Sequence, residues 1–331
     1  MFLAAFTINK YLVSATKTIM LDVLTIGEIL VEIMRKMRDT PLDVPADFLG
    51  PYPSGAPAIF ADAAARLGLH SAIIGAVGDD DFGRLVLNRL RSDGVDVSHV
   101  KILRNYLTGI AFVSYFSDGS RKFIFHLKHS ASSRLSSKDI DEDYVAQFKH
   151  VHVMGSALSI NKRMREACYK VVETAHKNGA KISLDPNLRP ELIPPIKIRK
   201  ICKPILDVAE LVLPSIEEAK ALANTLDVDS ACQKILDMGV EIVAVKMGGL
   251  GSTIYTRNKK LYIPAFTVEE IDPTGAGDTY DAAFVAGLLR GWSLEEIGRY
   301  ANAAGALAVT KFGPMEGCPT HDEVLSFIRE A

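Results

Sequence analysis

The sequence has no surplus of charge of either sign, and this absence limits the partners that it can bind. Its 331 residues include 38 lysines and arginines against 40 aspartates and glutamates, for a formal net charge of −2. A nucleic-acid-binding protein neutralises phosphates with an excess of basic side chains, which this chain lacks. We therefore expect no nucleic acid among its partners.

Long apolar runs and cysteines are also scarce. No apolar run reaches the roughly 18 residues that a membrane-spanning helix needs, so we expect no membrane partner. The cysteines are far apart and form no CxxC pair, which predicts buried thiols in a reducing cytoplasm rather than disulfides or zinc ligands. They are Cys168, Cys202, Cys232 and Cys318.

Residues 1–20 have some features of a signal peptide, but they lack its basic start. Asn9 and Lys10 also interrupt their apolar run. We interpret the segment as a disordered N-terminal extension, either a frayed tail or a stretch upstream of a natural start at Met20. Secretion is the alternative.

Short β-branched runs alternate with amphipathic segments, an order that is typical of α/β proteins with a largely parallel sheet. The sequence predicts strands at 21–29, 70–78, 149–155, 180–187, 240–248 and 261–268. It predicts helices at 57–68, 82–94, 164–179, 279–290 and 294–311. No internal repeat or low-complexity linker divides the chain, so we expect a single domain over residues 21–330.

One segment breaks this alternation. The aromatic and β-branched runs GIAFVSYF and KFIFHL flank the turn sequence SDGS (117–120), which predicts a β-hairpin within residues 105–130. With part of 31–53, this hairpin would form a small antiparallel lid that excludes water from a site beneath it. An edge strand of the lid could also pair with a second subunit and give a homodimer.

The stretch IDPTGAGDTYDAAF (271–284) lacks two common nucleotide-binding motifs. No G-x-x-x-x-G-K-[ST] loop occurs in the chain, and Gly275-x-Gly277 is not followed by the third glycine of the dinucleotide fingerprint, because Tyr280 stands there. The stretch does contain a turn of small residues at the start of a predicted helix. Such a turn leaves backbone N–H groups bare at the positive end of the helix, where they bind anions.

Asp278 follows this turn directly, and the helix dipole predicts that its carboxylate stays ionised. A carboxylate beside an anion site is repulsive unless it has a chemical task. Accepting the proton of a hydroxyl that attacks a phosphate is such a task. The alternative is an ordinary helix N-cap aspartate after a glycine turn.

The segment DPTGAGD (272–278) resembles the D-T-x-G-A-G-D signature of the ribokinase-like (PfkB) carbohydrate kinases. Other segments are similar to blocks of that family in the same order, over essentially all of residues 21–330: SGAPA (54–58), GAVGDDDFGRLVLNRLRSDGVDVSHV (75–100), SLDPNLRPEL (183–192), LPSIEEA (213–219), VKMGGLGS (245–252) and ANAAGALAVTKFG (301–313). The resemblance implies a three-layer α/β/α sandwich with a mainly parallel central sheet and a small β lid. It also implies an enzyme that phosphorylates a hydroxyl of a small sugar with ATP.

The same resemblance implies a role for each matching residue. Asp278 would be the general base, and the growing charge on the transferred phosphoryl group would be held by the amides of Gly275, Ala276 and Gly277. The ATP side would comprise Lys246, Gly248, Gly251 and Asn302, and Glu218 would organise Mg²⁺ through water. The sugar side would include Gly27, Gly55 and Arg189. A monovalent cation such as K⁺ would be held by Asp272 and Thr274.

The chain departs from the family pattern at three positions. Ser54 replaces the first glycine of the N-terminal pair, and Ile59 replaces the asparagine that follows it, which leaves the identity of the sugar open. Ser215 replaces the asparagine of the N-x-x-E motif, although Glu218 is retained.

The sugar is predicted from KFIFHLKHSASSRL (122–135), which resembles the region where 2-keto-3-deoxygluconate kinases carry a tyrosine and an arginine for a carboxylate. Its lid segment FIFHLKH (123–129) offers Lys128 but no arginine, and Arg134 lies beyond the hairpin. The segment GEILVEIM also resembles kinases of neutral ketohexoses. We therefore favour tagatose or fructose, held by Ser54, Gly55 and Lys128, with 2-keto-3-deoxygluconate as the alternative.

The sequence leaves two other functions open. A catalytically silent sensor of sugars or nucleotides would retain the fold, but the intact Asp278 turn disfavours it. A nicotinamide dehydrogenase is disfavoured by the missing third glycine. His150 and His152 share one face of a predicted strand and could ligate a metal, with a simple strand-edge pair as the alternative.

Overall fold

The computed structural model describes residues 21–331, so the extension predicted at residues 1–20 lies outside the described residues. The strands are β1 Leu21–Ile26, β2 Leu30–Arg35, β3 Phe48–Ser54, β4 Ser71–Gly78, β5 Val100–Leu103, β6 Gly109–Tyr115, β7 Arg121–His126, β8 Phe148–Met154, β9 Lys181–Asp185, β10 Leu211–Val212, β11 Ile242–Lys246, β12 Ser252–Tyr255 and β13 Lys260–Ile263. The α-helices are α1 Ala56–Arg66, α2 Asp81–Ser92, α3 Glu142–Val145, α4 Gly155–Ile160, α5 Lys162–Lys177, α6 Pro195–Leu206, α7 Ile216–Ala223, α8 Val228–Asp237, α9 Ala276–Leu289, α10 Leu294–Ala308 and α11 His321–Glu330.

A nine-stranded sheet forms the centre of the molecule, in the order β13-β12-β11-β10-β9-β8-β1-β4-β5. Its strands from β11 to β5 are parallel, and β12 and β13 pair antiparallel at one edge. Successive side chains of each strand point to opposite faces of the sheet, and helices cover both faces. Val23 of β1 shares a core cluster with Phe60 of α1 and Phe284 of α9, whereas Leu24 shares one with Cys168 of α5. The predicted three-layer α/β/α architecture is confirmed.

Two predicted boundaries change the interpretation of the sequence. The helix expected from residue 279 begins at Ala276, so Asp278 lies within its first turn rather than ahead of it. The strand expected at 261–268 ends at Ile263. Its remaining residues form a loop, which leaves their backbone groups outside the sheet.

The lid is a separate four-stranded sheet in the order β3-β2-β6-β7. The predicted hairpin is present as β6 and β7, from Ile110 opposite His126 to Tyr115 opposite Arg121. However, β2 and β6 pair in parallel, so the expectation of a wholly antiparallel lid was wrong. The chain passes through β3, α1, β4, α2 and β5 between these two strands, and a long crossover of this kind is what a parallel pair requires.

Two expectations from composition can be compared with this structure. The four cysteines are buried and free, as predicted. Within residues 21–331, no helix combines the length and the apolar character needed to cross a bilayer.

Candidate active site

The turn ahead of α9 requires glycine at position 275. Gly275 caps the helix with φ 81°, and a Cβ there would lie 2.2 Å from the backbone oxygen of Pro314. Only glycine adopts this conformation so close to another backbone without strain. The next residues, Ala276 and Gly277, are the first of the helix, so their amides have no partner within it and are available to an anion.

Asp278 lies one residue further along, with 7% of its surface exposed. Burial raises the pKa of Asp278 to about 7, and the charge of Asp185 adds to this shift, whereas Lys246 and Arg189 oppose it. Burial therefore opposes the ionisation that we expected from the helix dipole, and this carboxyl group titrates higher than the dipole alone predicts. A carboxyl group that titrates near neutral pH is well matched to accepting and releasing a proton.

A cavity of about 330 Å³ opens beside Asp278, between the central sheet and the lid. Asp185 at the end of β9 and Lys246 at the end of β11 line it from the sheet, and Phe123 and Phe125 of β7 line it from the lid. Ligands of open α/β sheets bind beyond the carboxyl ends of the strands, which is where this cavity lies. We call it the lid cavity.

Ser54 and Gly55 connect the lid to α1 at the edge of this cavity. The Ser54 hydroxyl donates to Oε1 of Glu32 on β2 over 3.0 Å. Burial raises the pKa of Glu32 to about 7, so its carboxyl group can serve as a donor or as an acceptor. Gly55 has φ 109°, and a Cβ there would lie 2.5 Å from the backbone oxygen of Glu28, so glycine is required at this position.

Four charged residues of the lid cavity were not predicted from the sequence: Glu28, Glu32, Arg121 and Asp185. Among the described residues, Oε2 of Glu28 and Oε2 of Glu32 are buried without a hydrogen-bond partner. Buried polar atoms are normally satisfied, so these oxygens are suited to hydroxyl groups of a ligand. The signal in the sequence was the pair of acidic residues within the otherwise apolar run GEILVEIM.

Two residues predicted to contact the sugar, Gly27 and Lys128, do not line the lid cavity. A Cβ on Gly27 would lie 2.5 Å from Cγ of Pro57 and 2.9 Å from Cβ of Ala157, so this glycine allows α1 and α4 to pack closely. Lys128 follows β7 and is exposed. The lid does supply an arginine to this cavity, Arg121, which lies just outside the segment used for that prediction.

A second cavity, of about 410 Å³, is lined by all four residues predicted for the nucleotide: Lys246, Gly248, Gly251 and Asn302. A Cβ on Gly248 would meet nothing within 4 Å, so the backbone there is open to a ligand. The side-chain Nδ2 of Asn302 donates to the backbone oxygens of Ile263 and Pro264, 3.0 Å from each. Asn302 therefore fixes the loop after β13, and this loop supplies part of an apolar wall that comprises Phe266, Val268, Tyr280 and Val309.

The lid cavity and the second cavity adjoin each other. They share four lining residues: Lys246, Gly248, Pro273 and Gly277. A Cβ on Gly277 would lie 3.7 Å from Nζ of Lys246, so the Gly277 backbone and this ammonium group face each other at the shared border, which we call the opening. Asp278 lines the lid cavity alone, and a group that passes through the opening therefore arrives beside it.

Comparison with known proteins shows the family of this chain. Residues 20–321 match the pfkB family of carbohydrate kinases. The chain belongs to this family. It is therefore a phosphotransferase that acts on a sugar hydroxyl. Fructokinase-1 of Oryza sativa subsp. japonica is 33% identical to this pfkB kinase over 318 residues, which cover 93% of this chain and 98% of that protein.

Two solved structures resemble the pfkB kinase over nearly its whole length. A proposed ribokinase II from E. coli, in complex with ATP and Mg²⁺, is 41% identical, has a TM-score of 0.88 and covers 94% of this chain and 99% of its own. A fructokinase from Vibrio cholerae O395 with fructose, ADP and calcium is 27% identical, with a TM-score of 0.80 and coverage of 93% and 99%. ATP and a divalent metal are thus the cofactors that this fold and family bind.

The residues of the pfkB kinase fit a nucleotide-bound magnesium ion better than a metal held by protein alone. Within residues 21–331, no group of three or more His, Cys, Asp or Glu side chains could hold a metal ion. Mg²⁺ commonly takes one or two carboxylates, water and the phosphates of its nucleotide. Glu218 lines the lid cavity, as does Ser215.

Ser215 and Glu218 form a capping box at the start of α7. The Ser215 amide donates to Oε2 of Glu218 over 2.8 Å, and the Leu188 amide donates to its Oε1 over 2.8 Å. Serine is as good an N-cap as asparagine, so the departure at position 215 preserves the local structure. The carboxylate of Glu218 is fixed by these bonds and retains lone pairs for a metal-bound water.

Asp272 and Thr274, predicted for a monovalent cation, brace the turn ahead of α9. The buried Asp272 carboxylate accepts hydrogen bonds from the amides of Thr274 at 3.0 Å and Gly313 at 2.9 Å. The Thr274 hydroxyl is hydrogen-bonded to the Tyr115 hydroxyl at the end of β6. The lid is therefore tied to the turn that begins α9.

The histidine pair does not form a metal site. His150 and His152 lie on β8 inside the central sheet, so they are not at a strand edge either. Nε2 of His150 and Nδ1 of His152 are each 2.7 Å from the Ser183 hydroxyl. Burial lowers the pKa of both histidines to about 3, which keeps them neutral and structural.

Proposed function

We propose that this pfkB kinase transfers the γ-phosphoryl group of ATP to a hydroxyl of a neutral ketohexose, with fructose as the first candidate and tagatose as the second. The observation that carries the proposal is the opening between the two cavities, with Gly277 in its wall and Asp278 on the lid side. The sugar occupies the lid cavity and ATP the second cavity, with its adenine against the apolar wall. Their reactive groups then meet at the opening.

Each residue at the opening has a distinct chemical role. Asp278 accepts the proton of the attacking hydroxyl, which its raised pKa allows near neutral pH. The amides of Gly275, Ala276 and Gly277 stabilise the negative charge that grows on the phosphoryl group. Phe123 and Phe125 of the lid keep water from competing with the sugar.

The ions belong to the same proposal. Mg²⁺ neutralises charge on the phosphates, and Glu218 would hold it through water. Asp272 and Thr274 would hold K⁺ near the turn, where the carboxylate supplies negative charge. Omission of K⁺ from the assay, with Na⁺ in its place, tests this part: unchanged turnover would remove the cation from the account.

The lining of the lid cavity supports a neutral sugar. Glu28 and Glu32 offer unpartnered buried oxygens that suit the hydroxyl groups of such a sugar. Arg121 and Arg189 also line the cavity, and this pair favours an acid sugar such as 2-keto-3-deoxygluconate as the alternative to the two ketohexoses. Within the proposal, the arginines instead offset the acidic residues and donate to sugar oxygens.

The proposed setting is a homodimer in the reducing cytoplasm. β7 is an edge strand of the lid, and Ile124 on it is 43% exposed, so a second lid could pair there. The molar mass in solution, measured by light scattering, tests this. A monomer at micromolar concentration would contradict the dimer without affecting the proposed reaction.

A coupled assay of ADP release tests the function directly. D-fructose, D-tagatose and 2-keto-3-deoxygluconate are compared at saturating Mg-ATP, first singly and then in competition. We expect the highest kcat/KM for one of the two ketohexoses. Preference for the acid sugar would overturn the substrate, and no ADP release with any sugar would favour the catalytically silent sensor.

A further inference from the structure

Lys246 is held at the opening by two carboxylates, and one of them lies on the same helix as Asp278. Nζ of Lys246 is 3.0 Å from Oδ2 of Asp185, 2.9 Å from Oδ1 of Asp281 and 3.0 Å from Oδ2 of Asp281. Although burial disfavours the ammonium, the charges of the two aspartates raise the pKa of Lys246, so it is a cation at neutral pH. Neither Asp281 nor its contact with Lys246 belongs to the roles assigned above.

We propose that Asp281 is a positioning residue for phosphoryl transfer: it fixes the Lys246 ammonium in the opening, where the ammonium faces the phosphoryl group in transit. The inference rests on the proposed function. Asp281 follows Asp278 by three residues on α9, so the two side chains lie on neighbouring positions of one helix face. One helix thereby places both the base and the carboxylate that holds the cation.

The ammonium group of Lys246 needs a fixed partner to hold it in one position. A lysine side chain has four flexible carbons, and its ammonium would otherwise sample many positions between the two cavities. Both oxygens of Asp281 bind it, and Asp281 itself is 0% exposed. Nε2 of His152 lies 3.9 Å from Oδ2 of Asp281, and the His152 ring stacks on the Phe60 ring with 4.1 Å between their centroids. The Asp281 carboxylate is therefore surrounded by packed side chains.

A comparison within the molecule separates this arrangement from a pair that only stabilises the fold. Arg89 of α2 binds the fully buried Asp62 of α1 at 3.2 Å, and neither residue lines either of the two cavities. Lys246 lines both cavities. An ion pair with no role beyond stability gains nothing from facing a ligand cavity, where water competes for the charges.

The test is Asp281→Asn, which keeps the shape and one acceptor oxygen but removes the charge. We expect kcat to fall by about 10- to 100-fold, the effect of losing a charge-assisted hydrogen bond. The KM values for ATP and sugar should stay within about twofold, because the cation acts on the transition state. Calorimetric binding of ADP with fructose and aluminium fluoride, a mimic of the transferring phosphoryl group, should weaken by a similar factor, while binding of ADP alone should not.

Two further variants decide how Asp281 acts. If it acts through Lys246, adding Asp281→Asn to Lys246→Met should change kcat by less than about twofold. Asp62→Asn is the matched control, since it makes the same change at the buried carboxyl group of the Arg89 pair, away from both cavities, and should leave kcat unchanged. An active wild type whose kcat is unchanged in folded Asp281→Asn, or an equal loss in the Lys246→Met background, overturns this inference alone. Absence of kinase activity in the wild type overturns the proposed function instead.

Discussion

The raised pKa of Asp278 predicts a pH dependence that an ordinary aspartate would not give. Burial raises the pKa from 3.8 to about 7, and only the ionised carboxylate can accept a proton from the sugar. We therefore expect kcat/KM of the free enzyme to rise about tenfold per pH unit below pH 7 and to level off above it. At pH 6 about a tenth of the plateau should remain, whereas an unshifted aspartate would already be fully active.

The assay is the initial rate of ADP release with fructose from about pH 5.5 to 8.5 at constant ionic strength. Glu32 also has a pKa of about 7, so the profile needs a control that removes its titration. Glu32→Gln should keep the rising limb near pH 7, although its KM for the sugar should increase. A flat wild-type profile, or loss of the limb in Glu32→Gln, would refute the assignment of this pKa to Asp278.

The remaining predictions concern the turn, the lid and stability. Gly277→Val should lower kcat by at least about a hundredfold and spare sugar binding, because its side chain would enter the opening beside Lys246. A wild-type rate in the folded variant would contradict the assignment of this turn as the anion site. Arg121→Ala should raise the KM for the sugar by about tenfold, whereas Lys128→Ala, the same change at an exposed cation of the lid, should leave it unchanged. Equal effects of the two variants in steady-state kinetics would argue against Arg121 as a sugar contact. Because the pKa of Asp278 is higher in the folded state than its ordinary value of 3.8, stability falls as pH rises from about 4 to 7. Asp278→Asn should therefore melt at a higher temperature than the wild type at pH 8 and close to it at about pH 4, and no difference at pH 8 would contradict the raised pKa.

The features that sequence predicted well are local ones. The turn before α9 depends on Gly275 and the small residues beside it, and adjacent residues set such a turn. The alternation of strands and helices likewise follows from the periodicity of short segments. The β6–β7 hairpin was found because its turn sequence joins strands that are neighbours in the chain.

The features that sequence missed depend on how distant segments meet. The parallel pairing of β2 and β6 joins strands separated by β3, α1, β4, α2 and β5, which no local pattern encodes. The lid cavity is lined by Arg121, Glu28 and Glu32 because the lid packs over the central sheet. Lys128, only seven residues after Arg121, is exposed and does not line it. The ionisation of Asp278 was misjudged for the same reason, since its burial is a property of the assembled fold.

The most direct test of the central claim is the turnover of Asp278→Asn, with ATP binding measured by calorimetry on the same preparation. The amide keeps the shape of the side chain but cannot accept the hydroxyl proton, and the amides of the turn are unchanged. We expect kcat for fructose to fall by roughly two to four powers of ten while the Kd for ATP stays within about twofold. A folded variant that turns over at nearly the wild-type rate would contradict the assignment of Asp278 as the base.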